Sequence, residues 1–190
     1  MAHIYIYSPS GAVRDRDAFR RGVRRLKDLG HELEIDEAAL SSHQRFAGDD
    51  DTRIAAIARA AASGADLAMI TRGGYGLTRL LPRLPYKALA KAVLGGTHFV
   101  GLSDYTALQC AMFARAQAVT WAGPALLEDF GRDDEPDEIM RACFDDLLGG
   151  QGEGSGWRLP KDESGKALIR GTLWGGNLSV LTALVGTPYL

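Results

Sequence analysis

Cysteine is scarce in this 190-residue chain, with only Cys110 and Cys143. That excludes a disulfide framework of the kind that braces small secreted domains. Both thiols fall in helical patterns and read as buried thiols of a reducing compartment. Neither has a histidine beside it to make a thiolate, which argues against a cysteine nucleophile. Histidine is sparse too, at four: His3, His31, His43 and His98. No apolar run is long enough to span a bilayer, so no membrane partner is expected. The opening residues lack a basic segment followed by an apolar core, so no secretory signal is expected and the chain reads as cytoplasmic. Charge is nearly balanced, 22 basic against 24 acidic residues for a net −2, which gives no support for a nucleic-acid partner. No P-loop lysine with its Ser/Thr follows the glycine-rich stretch. Gly74 and Gly76 begin a dinucleotide fingerprint, but Arg79 stands where the third glycine belongs, so that reading is rejected. Asp49-Asp50-Asp51 lacks the glycine and glutamate of an EF-hand loop and reads as acidic complement to a helix N-terminus. No metal and no cofactor are expected.

What is present is an ordinary globular composition, 46% hydrophobic. The length admits one large domain, or one domain and part of a second. β-branched and aromatic runs predict strands at 4–7, 33–35, 65–70, 99–102 and 119–121. Between them, 3.6-residue periodicity predicts helices at 15–29, from the acidic triplet to 61, at 87–93, from the turn at Ser103 to about 117, and at 138–148. Residues 41–48 read as a loop, and 77–81 as a helical segment broken by Pro82 and Pro85. Strands alternating with helices imply the α/β class: a doubly wound, flavodoxin-like parallel sheet with helices on both faces. The glycine-rich, polar stretch 149–156 reads as a boundary. It divides an α/β domain at 1–150 from 151–190, the expected start of a β-rich second domain with a strand at 167–173 and a short helix at 178–185.

Ligands of such sheets sit beyond the strand carboxyl ends, where three glycine-marked turns fall: 8–11, 72–76 and 101–104. In the third, an apolar strand pattern runs through Gly101-Leu102-Ser103-Asp104 straight into a helical one. A sharp strand-to-helix turn thrusts a side chain out of the backbone and aims the first helix N–H groups at whatever it attacks. Gly101 lies where a Cβ would crowd the turn. The usual small residue two positions after the serine is Tyr105 here. The local alternative is that Ser103 or Asp104 merely caps the next helix. In the second turn, Gly73-Gly74-Tyr75-Gly76 offers successive amide N–H groups to an anion. Convergence of the Gly74 and Asp104 N–H groups makes an oxyanion hole, and a tight turn without chemistry is the alternative. Arg72, at a strand end, suits a terminal carboxylate or an ion pair with a neighbouring acid.

Three segments together resemble the LD-carboxypeptidase family, which includes muramoyl-tetrapeptide carboxypeptidases and microcin C self-immunity peptidases. They are Thr71 to Gly76 with Arg79-Leu80-Leu81-Pro82, Val100 to Leu108, and Gly175-Gly176-Asn177-Leu178-Ser179 with Leu184 to Tyr189. The resemblance implies a cytoplasmic serine hydrolase that removes the terminal D-alanine from murein tetrapeptide during cell-wall recycling. It implies Ser103 as the nucleophile of a Ser-Glu-His triad and backbone N–H groups at Gly74 and Asp104 as the oxyanion hole; Arg72, Tyr75 and Asn177 are the candidate substrate contacts. Asn177 serves either the substrate or the domain junction. His3, His31 and His98 fall at the wrong end of a parallel sheet, and no family motif places a base at His43. Asp104 is expected to cap its helix rather than orient a base. The triad glutamate and histidine are therefore expected beyond this sequence, in a C-terminal domain, and the 190 residues alone are expected to be largely inactive. A homodimer, or pairing with a separate C-terminal fragment, would cover apolar surface left on 157–190. The alternatives are a peptidase acting on peptidyl-nucleotides, with Trp121 as a pocket wall for the base, and a non-catalytic flavodoxin-like binding module.

Overall fold

The computed structural model describes residues 1–152 and 170–190. Five parallel strands form one sheet: β1 (His3–Tyr7), β2 (Glu32–Ile35), β3 (Leu67–Ile70), β4 (His98–Gly101) and β5 (Trp121–Ala122). Their order, β2-β1-β3-β4-β5, is the flavodoxin-like arrangement, with its switch point between β1 and β3. Strand β3 is buried at every position, as a strand covered on both faces must be.

Alternation along the strands sorts side chains into two cores. Tyr5, Tyr7, Ala68, Ile70 and Phe99 face one side, packing with Ile57 of α2 (Asp50–Ala62), Leu89 of α3 (Tyr86–Leu94) and Leu108 of α4 (Thr106–Ala116). Ile4, Ile6, Leu67, Met69 and Val100 face the other, against Phe19 and Leu26 of α1 (Arg16–Asp28) and Phe144 of α5 (Glu138–Leu148). Side chains cap the helices where the sequence supplies acceptors: Asp15 takes the Ala18 N–H and Asp49 the Thr52 N–H, each at 2.8 Å. The acidic triplet thus serves a helix start, as its placement predicts.

Several expectations shift. Residues 77–83 form two short 3-10 turns, Leu77–Arg79 and Leu81–Arg83, because Pro82 removes a donor from any continuous helix. Strand β5 lies later than expected: Val119 is exposed, and pairing to β4 starts only at Val100↔Trp121. Trp121 stacks on His98 at 4.6 Å, so its ring faces the amino end of β4 and walls no pocket beside Ser103. Cys110 is buried but Cys143 only half-buried, since helix α5 buries Phe144 rather than its neighbour. The expected strand at 167–173 falls mainly outside the described residues, and 170–173 are not strand. The last helix, α6 (Leu178–Leu184), seats Leu184, Val180 and Leu181 against the core beside α4. Leu173, Leu178 and Val185 stay exposed. Among the described residues, no helix is long and apolar enough to cross a membrane.

Candidate active site

Three loops meet at the carboxyl end of the sheet, at the switch point. Strand β4 ends in Gly101, which has no room for a side chain: a Cβ there would lie 2.5 Å from the Tyr105 ring. That ring cannot yield, because its hydroxyl is held by Tyr7 at 2.7 Å in the core. The chain therefore turns sharply, and Ser103 takes a left-handed backbone conformation with φ 64°. A non-glycine residue adopts this only where its surroundings impose it. Ser103 is exposed, and its hydroxyl makes no hydrogen bond among the described residues. A 3-10 turn, Ser103–Tyr105, leads into α4, and neither Ser103 nor Asp104 gives it a side-chain cap. The capping alternative is thereby removed for both residues.

The Asp104 side chain instead turns inward, away from its own helix. It is 8% exposed and accepts the Ser10 hydroxyl at 2.6 Å, tying the loop after β1 to the elbow. The N–H groups of Gly74 and Leu77 face it and favour its charged form, yet its Oδ1 accepts no hydrogen bond that meets normal geometry among the described residues. Burial dominates and pushes the carboxyl above the ordinary aspartate value. The Gly74 N–H looks toward the Asp104 carboxylate.

The glycine loop presses on the nucleophile candidate. A Cβ on Gly73 would lie 2.8 Å from Ser103 Cβ and 3.2 Å from its Oγ, so only glycine fits. Gly74, at φ 153°, faces Gly11 and Ser10 just as closely. Beneath these loops lies Arg53, wholly buried. It donates to Asp50 at 2.6 Å, reaches the carbonyls of Pro9 and Gly76, and stacks its guanidinium 4.6 Å from the Phe46 ring centroid. Nothing in its local pattern separates Arg53 from the surface arginines of a helix.

Around the elbow, Arg72 is half-buried and bonds its own loop, Nε to Gly73 O at 3.1 Å. Tyr75 is 68% exposed, with the Arg45 guanidinium 5.8 Å from its ring centroid. Asn177 joins from the far end of the chain. Its N–H bonds Thr106 Oγ1 at 2.9 Å, and that hydroxyl bonds Ser103 O at 2.8 Å. Its side chain caps α6 through the Val180 N–H, so what it brings to the elbow is backbone. The histidines stand apart: His3 pairs with Glu34 at 3.3 Å, His98 stacks on Trp121, His31 meets Phe144, and His43 pairs backbone with Phe46. Sequence reasoning passed over Ser10 as turn chemistry and missed Glu128, which lies 4.0 Å from Arg72.

A family model described as the LD-carboxypeptidase N-terminal domain matches residues 4–123. A protein of Bacillus subtilis strain 168 named probable murein peptide carboxypeptidase is 30% identical over 166 residues, covering 86% of this chain and 51% of that protein. A crystal structure of muramoyltetrapeptide carboxypeptidase from Oxalobacter formigenes superposes with TM-score 0.85 at 34% identity, covering 99% of this chain and 61% of the other. The microcin C7 self-immunity protein MccF, solved in complex with aspartyl sulfamoyl adenosine, superposes with TM-score 0.80 at 25% identity, over 99% of this chain and 64% of that one. The chain thus spans between about half and two thirds of these relatives' lengths.

Proposed function

The chain belongs to the LD-carboxypeptidase N-terminal domain family, and from that premise we propose that it is the nucleophile-bearing part of a serine carboxypeptidase that releases the terminal D-alanine from murein tetrapeptide. The observation that carries this reading is Ser103: exposed, in the left-handed conformation, its hydroxyl unbonded among the described residues, against a glycine loop. In the proposed reaction Ser103 Oγ attacks the carbonyl carbon before D-alanine, and its proton passes to a base. The negative charge on the carbonyl oxygen is met by amide N–H groups of Asp104 and Gly74, the latter swinging from the Asp104 carboxylate. Collapse expels D-alanine, whose nitrogen takes the proton, and water then frees the acyl-serine. Arg72 takes the terminal carboxylate, Tyr75 lines the entrance, and Asn177 fixes the junction to the C-terminal domain.

No described histidine reaches Ser103, so the base and its orienting carboxylate are assigned to a C-terminal domain of the kind the longer relatives have room for. We expect 151–190 to begin that domain, and the 190 residues alone to turn over little. MccF suggests peptidyl-nucleotides as a second substrate class, but the ring that would carry a base, Trp121, is taken by His98, which leaves the weight on murein peptides. Mass spectrometry of D-alanine release from murein tetrapeptide tests this reading. Slow release by the 190 residues, and Ser103-dependent release once the C-terminal part of the Bacillus relative is fused on, is expected. Full turnover by the 190 residues removes the need for a downstream base. Undiminished turnover by the Ser103→Ala fusion removes the nucleophile.

A further inference from the structure

Thr106 opens α4 just after the elbow, and the residue is 1% exposed. Its hydroxyl has one proton to give, and gives it to Ser103 O at 2.8 Å. The same oxygen accepts the Asn177 N–H, 71 positions along the chain, at 2.9 Å. Ser103 O takes the Thr106 N–H as well, within the 3-10 turn. The far side of this link has little slack. Gly176 lies so close to the hydroxyl that a Cβ there would be 2.4 Å from Thr106 Oγ1, and its φ of 146° is one that side chains disfavour. Asn177 is fixed in turn by α6. Its Oδ1 accepts the Val180 N–H at 3.1 Å, its carbonyl accepts the Leu181 N–H at 3.0 Å, and the helix buries Leu184.

What the link reaches is the peptide unit between Ser103 and Asp104. That unit is trans, so its C=O and N–H point in opposite directions across one rigid plane. A bond that fixes Ser103 O therefore also fixes where the Asp104 N–H points. A hydrogen bond accepted by the carbonyl polarises the same amide and strengthens its N–H as a donor. Ser103, at φ 64°, is held in a sparsely populated conformation that persists only with support from its surroundings. We propose that Thr106 is a positioning residue of the oxyanion hole: its hydroxyl, seated by the Asn177 N–H, holds the Ser103 carbonyl so that the Asp104 N–H meets the charge developing on the substrate oxygen. The segment 175–177 thereby acts on the reaction through its backbone and one hydroxyl. This inference rests on the serine-peptidase reading above and deepens it.

Calorimetry on the 190-residue chain separates the hole from the rest of the site. One probe is murein tetrapeptide, whose scissile carbonyl oxygen is neutral. The other is a murein peptide with boron in place of the scissile carbonyl carbon. When Ser103 Oγ forms a bond to boron, the hydroxyl proton leaves to solvent and the boron group becomes tetrahedral and anionic. Thr106→Val is expected to weaken the boron peptide about tenfold and to leave the tetrapeptide within about twofold. Thr106→Ser, which keeps the hydroxyl, is expected to bind both as the native chain does. Thr106→Ala carries the same comparison if the valine variant does not fold. An equal loss for both probes, no loss for either, or no recovery with serine overturns this inference and leaves the serine nucleophile standing. A native chain that does not bind the tetrapeptide, or that leaves boron trigonal by boron NMR, overturns the reading on which it rests.

Discussion

Two aspartates are buried just beyond the carboxyl ends of two strands of the sheet, β2 and β4, and they are treated in opposite ways. Asp36, just after β2, is fully enclosed and fully satisfied. It accepts the Tyr5 hydroxyl at 2.6 Å, Arg59 at 2.7 and 2.9 Å, and the Ala38 N–H at 2.8 Å. Burial alone would push its carboxyl up, but these bonds outweigh burial and hold it below the ordinary value. Among the described residues Asp104, just after β4, has one firm bond, from Ser10, and an Oδ1 with no hydrogen-bond partner. There burial prevails, and the carboxyl is held high. The first corner closes a structure. The second leaves polar capacity unspent beside an exposed hydroxyl on a strained backbone, where chemistry needs groups that are not yet committed.

The largest effect that sharpens the contrast is at the satisfied corner. Asp36→Ala strands the Tyr5 hydroxyl and leaves the Arg59 guanidinium with its exposed partner Glu37 at 3.2 Å. Allowing for the solvent that reaches Arg59, it is expected to cost about 2 kcal/mol and lower Tm by roughly 5 °C, read by thermal denaturation. At the elbow the sign reverses. Ser103→Gly relieves a left-handed residue and is expected to gain about 0.5–1 kcal/mol in urea unfolding while ending all chemistry at the site. A loss of stability there would mean that the backbone is not strained.

The smallest effect, in pH, separates the two carboxyls directly. Asp36 binds fewer protons folded than unfolded, so its contribution is present above the unfolded value near ~3.9 and is lost as pH falls through its lower folded value. Asp104 binds more protons folded, so its contribution erodes as pH rises from ~3.9 through its raised folded value. Urea midpoints should therefore flatten on the acid side in Asp36→Asn. In Asp104→Asn they should rise at neutral pH, with the gain vanishing in acid. The same slope in both variants would erase the distinction.

Local patterns made the sheet legible. Strand β1, the helix ending before Gly30, and α5 stand close to where periodicity and turn residues put them, because each is decided by neighbours in sequence. The elbow was legible too, since Gly101 and Ser103 write a steric constraint into three residues. What escaped depends on distant partners. Asp104 reads as a helix cap until Ser10, 94 residues away, claims it. Glu128 belongs to a turn whose placement depends on Thr71, and Arg53 is buried only because three loops close over its helix. Strand β5 slipped because pairing with β4, and not propensity, decides where it begins.

The account stands on the Ser103 oxygen acting as nucleophile toward amide donors. A murein peptide with boron replacing the scissile carbonyl carbon tests that most directly, because boron turns tetrahedral when a hydroxyl adds to it. A crystal structure of the chain with this peptide should show tetrahedral boron bonded to Ser103 Oγ, with one boron oxygen facing the Asp104 and Gly74 N–H groups. Boron left trigonal, or bonded to any other residue, would contradict it.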